Sequence, residues 1–239
     1  MSLQLVEILK IQKELLSLPR SKERFDVYLK TMTGGTDDLM IPIGSFNPMS
    51  KEHVSSVIDQ LTELRAEAIL ASVLRDFNSK ELGFKEDFKV ALVVVDDVKG
   101  GWTCRESIEL ERLTKISEEL KRKWITVLWW CGDSCTPELI RREMVSQTFK
   151  SLQILQKGPI KTLKNWVELE AQAMRAARVE LESKNYEWLP KFKSLLSLSD
   201  VPTLISAIFG DAAAEKLGYE KLGFPKDAGK LVAQVQDIT

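Results

Sequence analysis

Polar residues suited to acid–base chemistry and ligand binding follow directly after an apolar run at 90–95. The run is short and rich in β-branched residues, which predicts a strand buried on both faces within a helix-covered parallel sheet. Loops at the ends of such strands are where α/β proteins usually place their chemistry. The candidate residues of this loop are Asp96, Asp97, Lys99, Trp102 and Arg105.

Two further loops are predicted to reach the same edge of the sheet. If a strand precedes each of them, the loops 44–50, 96–104 and 132–136 all leave the carboxyl ends of parallel strands. Those ends lie together, so side chains from the three loops should converge there. His53, the only histidine of the chain, falls in the first turn of the helix that follows the first loop.

The chemistry of each side chain suggests a role at this edge. Carboxylates and a histidine can transfer protons near neutral pH, so we predict Asp97, Glu109 and His53 as catalytic residues. An arginine can hold an anionic group through paired hydrogen bonds. The predicted ligand-binding residues are Asn47, Lys99, Trp102, Arg105 and Asp133.

The same loop residues also have a purely structural interpretation. Asp96 and Asp97 point to opposite sides if the strand continues, so one would face the cleft while the other caps the turn. Trp102 could stack on a ligand or cover the core. The pair Gly100-Gly101 lacks the spacing of a phosphate-binding motif, so it either permits a tight turn or lets a ligand approach the backbone.

Two glutamates fall on helical stripes that are predicted to face the core. Glu109 shares the stripe of Leu113, Ile116 and Leu120, and Glu170 lies within the apolar stripe of a later helix. A buried carboxylate must pair with a cation, bind a metal or keep its proton. Glu109 could therefore line the cleft or form an ion pair. The arginines available for ion pairs are Arg105 and Arg112 for Glu109, and Arg178 for Glu170.

The three cysteines match no familiar metal-binding spacing. Cys104, Cys131 and Cys135 could in principle join His53 in a tetrahedral zinc site, but no C-x-x-C pair occurs. Cys135 precedes a helix, and we expect the helix to lower the pKa of its thiol. The sequence identifies no particular cofactor, and a divalent metal held by carboxylates is one option.

Periodicity and capping residues predict the elements that must position these side chains. Strands are predicted at 39–46, 88–96 and 124–131, and Pro42 would confine the first of them to an edge of the sheet. The helices are predicted at 3–17, 21–34, 50–77, 105–122, 136–156, 161–184 and 199–210.

The order of these elements predicts an α/β fold that is rich in helices. Residues 39–156 follow the order β-α-β-α-β-α, which requires a small, mostly parallel sheet, with extra helices at both termini. A mostly helical protein with a small sheet is the alternative. We expect N-terminal helices (1–38) packed on an α/β core (39–158), a C-terminal helical part (159–239), and one structural unit overall.

Composition and charge argue against several classes of protein. The chain has 34 Lys and Arg against 35 Asp and Glu, so no surface for nucleic acid or an anionic membrane is expected. Its apolar runs are much shorter than the roughly 20 residues that span a bilayer. Three cysteines and no secretion signal predict a cytoplasmic protein. The expected partner is a small-molecule ligand, and the chain could form a homo-oligomer.

Two hypotheses of function follow. The first is a soluble hydrolase or transferase that acts on a small molecule through carboxylates, with or without a divalent metal, at the carboxyl edge of the sheet. The second is a non-catalytic binding or assembly module, in which the edge acids only cap turns. A concave pocket of converging polar residues is expected in the first case, and a broad apolar patch in the second.

Overall fold

The structure, a computed structural model, describes residues 2–80, 86–99, 103–179 and 186–235. This part of the chain is rich in helices and contains a three-stranded parallel sheet, which confirms the predicted fold class. The strands are β1 (Leu3–Leu5), β2 (Phe88–Val95) and β3 (Trp124–Trp130). The helices are α1 (Leu9–Ser17), α2 (Lys22–Thr33), α3 (Glu52–Glu63), α4 (Ala66–Asn78), α5 (Arg105–Thr114), α6 (Glu118–Lys121), α7 (Pro137–Lys157), α8 (Leu163–Ala176), α9 (Leu189–Ser194), α10 (Val201–Phe209), α11 (Asp211–Lys216) and α12 (Ala228–Ala233).

The chain divides into two compact units. Unit 1 comprises Met1–Arg105 and Ser117–Thr148 and contains the sheet, whereas unit 2 comprises Glu106–Ile116 and Phe149–Thr239. The three-part division expected from the sequence remains a prediction. Within the described ranges, no helix has both the length and the apolar character needed to cross a membrane.

Strand β2 is the centre of the sheet. It pairs in parallel with β1 at one end and with β3 along nearly its whole length, from Lys89 opposite Trp124 to Val95 opposite Trp130. From its third residue onward β2 is buried on both faces, and so is all of β3. Double-sided burial explains why both runs are continuously apolar, and the two strand predictions are confirmed.

Side-chain amides, rather than further strands, pair with backbone groups along the edges of the sheet. Three such amides each exchange two hydrogen bonds of 2.8–3.1 Å with the N–H and carbonyl of one strand residue. Each amide therefore imitates a short piece of neighbouring strand and satisfies groups that would otherwise be unpaired. The pairs are Asn78 with Leu3 on β1, Gln12 with Val94 on β2, and Gln147 with Leu128 on β3.

The strand predicted at 39–46 is wrong, because this segment is an irregular connection. The amide of Met40 donates to the carbonyl of Met32 at the end of α2 (2.8 Å), so the chain folds back on that helix. Ile43 and Phe46 are fully buried. The apolar run thus reflects core packing without strand pairing.

The edge strand β1 is formed instead by residues predicted to begin the first helix. The helix predicted at 3–17 starts only at Leu9, and Leu3–Leu5 pair with β2. The amides of Ile8 and Leu9 donate to the carboxylate of Glu67 (2.7 and 3.1 Å), which satisfies the start of α1. Local periodicity identifies the helix, but it cannot show that β2 takes its edge partner from the preceding residues.

Two long predicted helices are each broken in two. The helix predicted at 50–77 is α3 followed by α4, because Arg65 between them adopts the left-handed conformation with φ of 54°. The helix predicted at 105–122 is α5 followed by α6, and the hydroxyl of Ser117 caps the second piece. Both breaks lack the glycine or proline that would mark them in the sequence.

The helices α2 and α7 begin and end close to the predicted residues. The hydroxyl of Ser21 accepts a hydrogen bond from the amide of Arg24, and α2 ends at the left-handed residue Gly34. Helix α7 has Pro137 as its first residue, directly after Thr136, as expected for a proline at the first helical position. Capping signals were therefore reliable at these ends.

In unit 2, α12 packs against α8 and α10, and α8 carries the buried Glu170. The predicted core-facing position of Glu170 is confirmed, since the residue is only 4% exposed. Its ion pair is with Lys150 at 2.5 Å and not with Arg178 as expected. Burial alone would raise the pKa of Glu170, but the charges of Lys150 and Lys230 outweigh it and lower the pKa.

We predict that Gln12→Leu destabilises the protein by about 2–4 kcal/mol, because it leaves the N–H and carbonyl of Val94 buried and unpaired. Gln60→Leu removes an exposed amide from α3 and should change the stability by less than about 0.5 kcal/mol. Urea denaturation followed by tryptophan fluorescence measures both changes. Equal stabilities of the two variants would show that the amide of Gln12 does not complete the sheet.

Candidate functional site

The carboxyl end of β2 carries a buried carboxylate, Asp96, which is 2% exposed. Its Oδ1 atom is hydrogen-bonded to His53 Nε2 at 2.9 Å and accepts from the backbone amides of Val98 and Lys99 at 3.0 Å each. The hydroxyl of Thr103 donates to the backbone carbonyl of Asp96. Asp96 therefore caps the loop after β2 and at the same time holds the only histidine of the chain.

His53 reaches this edge from the first turn of α3, and its side chain is 21% exposed. Its Nδ1 atom and the Oδ2 atom of Asp96 are buried and make no hydrogen bond with any described residue. When Nε2 donates its proton to Asp96, Nδ1 carries the lone pair of the neutral ring. Nδ1 of His53 and Oδ2 of Asp96 are therefore two acceptors without a described donor, and Nδ1 is the basic one.

Opposing effects set the pKa of Asp96. Burial raises the pKa, but the hydrogen bonds from His53 and from the amides of Lys99 and Val98, with the charge of the protonated imidazole, outweigh it. The pKa lies below its ordinary value as a result. Asp96 thus stays ionised near neutral pH, which is the state that can orient an imidazole.

The next carboxylate, Asp97, belongs to a separate cluster around Arg105. The guanidinium donates to both carboxylate oxygens of Asp133 at 2.7 and 3.1 Å, and to Asp97 Oδ2 at 3.3 Å. It lies 5.4 Å from the ring centre of Trp130. The amide of Gly132 donates to Asp97 at 2.8 Å, and a Cβ at Gly132 would lie 3.2 Å from that carboxylate, so glycine permits the close approach. The Arg105 cluster thus ties together the loops after β2 and β3.

The Arg105 cluster does not offer a metal centre. The Arg105 guanidinium already binds oxygens of both Asp97 and Asp133 that a divalent ion would need. Across the described ranges, no three His, Cys, Asp or Glu side chains come together in a way that could hold a metal ion. The three cysteines, Cys104, Cys131 and Cys135, form no disulfide. The described residues therefore do not fit the zinc or carboxylate-metal options.

The expected lowering of the pKa of Cys135 is wrong. Burial raises the pKa of this thiol, the neighbouring indole of Trp129 opposes the increase, and the nearby charge of Asp133 adds to it. The pKa of Cys131 is also raised, chiefly by burial and then by the neighbouring aspartates. The thiolate forms are therefore disfavoured at neutral pH, which argues against either cysteine as a nucleophile.

The other predicted ligand-binding residues are Asn47, Lys99 and Trp102, and none of their described side chains is seen in the His53–Asp96 pair or the Arg105 cluster. Asn47 is 5% exposed, and its Oδ1 accepts from the amide of Met49 at 2.8 Å, so it stabilises a turn. The backbone amide of Lys99 donates to Asp96 Oδ1, while the Lys99 side chain is exposed. Trp102, together with Gly100-Gly101, lies outside the described residues. Of this group, the described atoms place only Lys99 in contact with Asp96.

Glu109 is half-buried in unit 2, so the predicted core-facing stripe is wrong. The buried residue of α5 is its neighbour Leu110. The helix ends at Thr114, before the stripe can continue, and Ile116 is 40% exposed. A catalytic role for Glu109 remains a prediction without support from its helical phase.

The sequence pattern does not mark Asp96 as catalytic and presents it as one of two acids that could cap the loop. Asp96 does cap the loop, but it also binds His53, which approaches from a helix 43 residues earlier in the chain. A signal was present in the sequence. An acid directly after a strand buried on both faces has to bury its side chain too, and it must then find donors.

We predict that the wild type loses stability in acid more steeply than Asp96→Asn. The pKa of Asp96 is lower in the folded state, so its contribution is complete above the unfolded pKa of about 4 and is lost as the pH falls through the folded value. The free energy of unfolding, measured in urea from pH 6 to pH 2.5, should therefore converge between the two proteins. Asp26→Asn removes an exposed carboxylate of α2 and serves as the control.

A constant difference between wild type and Asp96→Asn across this pH range would contradict the prediction. It would mean that Asp96 takes up its proton equally well in the folded and unfolded states, and that its hydrogen bonds do not favour the ionised form.

Comparison with protein-family models, curated proteins and solved structures finds no match to this chain. The fold class therefore depends on the strand order and parallel pairing of the sheet. The candidate site depends on the contacts of His53, Asp96 and the Arg105 cluster alone.

Proposed function

We propose that the protein is a hydrolase or transferase for a small molecule, with His53 as its acid–base residue and Asp96 as the residue that orients it. The observation that carries the proposal is the 2.9 Å hydrogen bond between His53 Nε2 and the buried Asp96. A carboxylate on one ring nitrogen fixes the orientation and tautomer of an imidazole. Histidine is the residue most often used for proton transfer near neutral pH.

In the proposed mechanism, Nε2 of His53 keeps its proton and its hydrogen bond to Asp96. Nδ1 removes a proton from a substrate hydroxyl or a water as that oxygen attacks, and the adjacent carboxylate stabilises the imidazolium that forms. Nδ1 then returns the proton to the leaving group. Because Nδ1 is buried, the side chains that cover it would have to move for a substrate or a water to reach it.

The Arg105 cluster has a positioning role in this proposal. Its hydrogen bonds to Asp97 and Asp133 hold the loops that follow β2 and β3, and the first of those loops contains the donors to Asp96. Asp97, predicted as catalytic from the sequence, would act through this cluster. No step uses a divalent metal, because the guanidinium already binds oxygens of both carboxylates.

A non-catalytic binding or assembly module is the second candidate. The Arg105 cluster favours it, because a paired salt bridge between two loops is a common structural device and uses most of the guanidinium donors. In that case His53 and Asp96 would only attach α3 to the end of β2. Changing either residue is then expected to lower the stability of the protein, and the wild type is expected to show no turnover.

The proposal also places the protein in the cytoplasm with a small-molecule partner and no nucleic acid. The nearly balanced charge supports the absence of a nucleic-acid partner. Three cysteines that form no disulfide fit a reducing compartment. The proposal also allows the chain to form a homo-oligomer.

The proposal is tested by turnover of p-nitrophenyl esters, phosphates and glycosides by the wild type and His53→Gln. For any substrate turned over, we expect His53→Gln to lower kcat/KM by about 10²–10⁴-fold, the usual contribution of one acid–base residue. The melting temperature should change little, because the glutamine amide can still donate to Asp96. The matched control is Glu63→Gln, an exposed change on the same helix.

Unchanged turnover in His53→Gln would contradict the assignment of this residue. A pH profile separates a chemical role from a structural one, because a lost general base removes the rise of kcat/KM with pH. A variant that is slower by the same factor at every pH would indicate only a distorted site.

A further inference from the structure

Unit 1 contains a polar cavity of about 440 Å³ between the end of α1 and the start of α3. None of its lining residues belongs to the His53–Asp96 pair or to the Arg105 cluster. The wall is formed mainly by charged and hydroxyl side chains. The residues that bear on its chemistry are Arg20, Arg24, Lys51, Glu52, Ser56 and Asp59.

Arg24 is a buried cation on this wall with few hydrogen-bond partners. The residue is 2% exposed, and its Nη1 atom donates to the carbonyl of Leu18 at 3.2 Å. Its Nε and Nη2 atoms make no hydrogen bond with any residue that the structure describes. Arginine stays protonated in proteins, so these buried donors keep their charge and need an acceptor.

Helix α3 begins at the same wall. Its N-cap, Lys51, is extended and makes no side-chain hydrogen bond to the first amides of the helix. A helix of 12 residues carries a partial positive charge at its amino end. The helix therefore adds positive potential to the cavity that Arg24 lines.

The negative charges of the wall are already neutralised. Glu52 accepts from Arg20 at 2.7 Å, and Asp59 accepts from Lys13 at 2.5 Å. Lys51 makes no ion pair with the described residues. The buried guanidinium, the Lys51 ammonium and the amino end of α3 consequently leave the cavity with uncompensated positive charge.

We propose that this cavity binds a phosphate group, either as inorganic phosphate or as the phosphoryl group of a small metabolite. Nε and Nη2 of Arg24 form the paired geometry that matches two phosphate oxygens, and because both atoms are buried, the side chain would turn towards the cavity to donate from them. The positive potential at the amino end of α3 would favour the same group. The volume accommodates a phosphate with a small organic part.

The test titrates the protein with sodium phosphate, using sodium chloride at equal ionic strength as the reference. Isothermal calorimetry should show saturable binding, and the melting temperature should rise with phosphate but not with chloride. Glycerol 3-phosphate and glycerol distinguish the two sources of the group. Tighter binding of glycerol 3-phosphate than of phosphate assigns a phosphorylated metabolite, and equal or weaker binding assigns phosphate itself.

Variants of the wall identify the site. Arg24→Met should weaken phosphate binding about tenfold or more, because it removes a charge-assisted pair of hydrogen bonds. Lys51→Gln and Ser56→Glu alter exposed wall residues without disturbing the core, and both should weaken binding even if Arg24→Met does not fold. Lys10→Gln, an exposed change on α1, is the matched control and should bind as the wild type does.

Two results would overturn the proposal. One is phosphate that stabilises no better than chloride, and the other is wild-type phosphate affinity in both Lys51→Gln and Ser56→Glu. His53→Gln should keep its phosphate affinity, because His53 does not line the cavity. A failure of the acid–base assignment therefore leaves this proposal intact, and the reverse is also true.

Discussion

A carboxylate buried at the end of the central strand is the constraint on which the candidate site depends. β2 is buried on both faces, and the residue that directly follows it, Asp96, is buried as well. An ionised buried carboxylate requires donors, and the protein supplies them from the loop amides and from His53 on α3. The position of the first turn of α3 therefore follows from the electrostatic needs of a strand end.

The same requirement, that buried polar groups find partners, shapes the rest of unit 1. A three-stranded parallel sheet leaves backbone groups along its edges, and further strands are the usual solution. Here the amides of Asn78, Gln12 and Gln147 take that place, each with two hydrogen bonds to one strand residue. Arg24 departs from this pattern, as His53 Nδ1 and Asp96 Oδ2 do, because two of its buried guanidinium nitrogens have no hydrogen-bond partner among the described residues.

The sequence predicts the parts of this fold that local patterns determine. The apolar runs of β2 and β3 and the capping residues Ser21 and Pro137 lie where expected, because burial and capping act on neighbouring residues. The first strand, the helix break at Arg65 and the contact of His53 with Asp96 depend on residues far apart in the chain. Periodicity carries no information about such contacts, so the approach of the loops after β2 and β3 was predictable while the pairings of their residues were not.

The tautomer of His53 tests the central claim most directly, and the single histidine makes the measurement unambiguous. Nitrogen NMR of protein labelled with ¹⁵N-histidine, recorded at a pH where the ring is neutral, distinguishes the protonated nitrogen from the unprotonated one. We expect the proton on Nε2, hydrogen-bonded to Asp96, and a free lone pair on Nδ1. A proton on Nδ1, or the rapid mixture of tautomers found in free histidine, would contradict the claim that Asp96 holds His53 as a base.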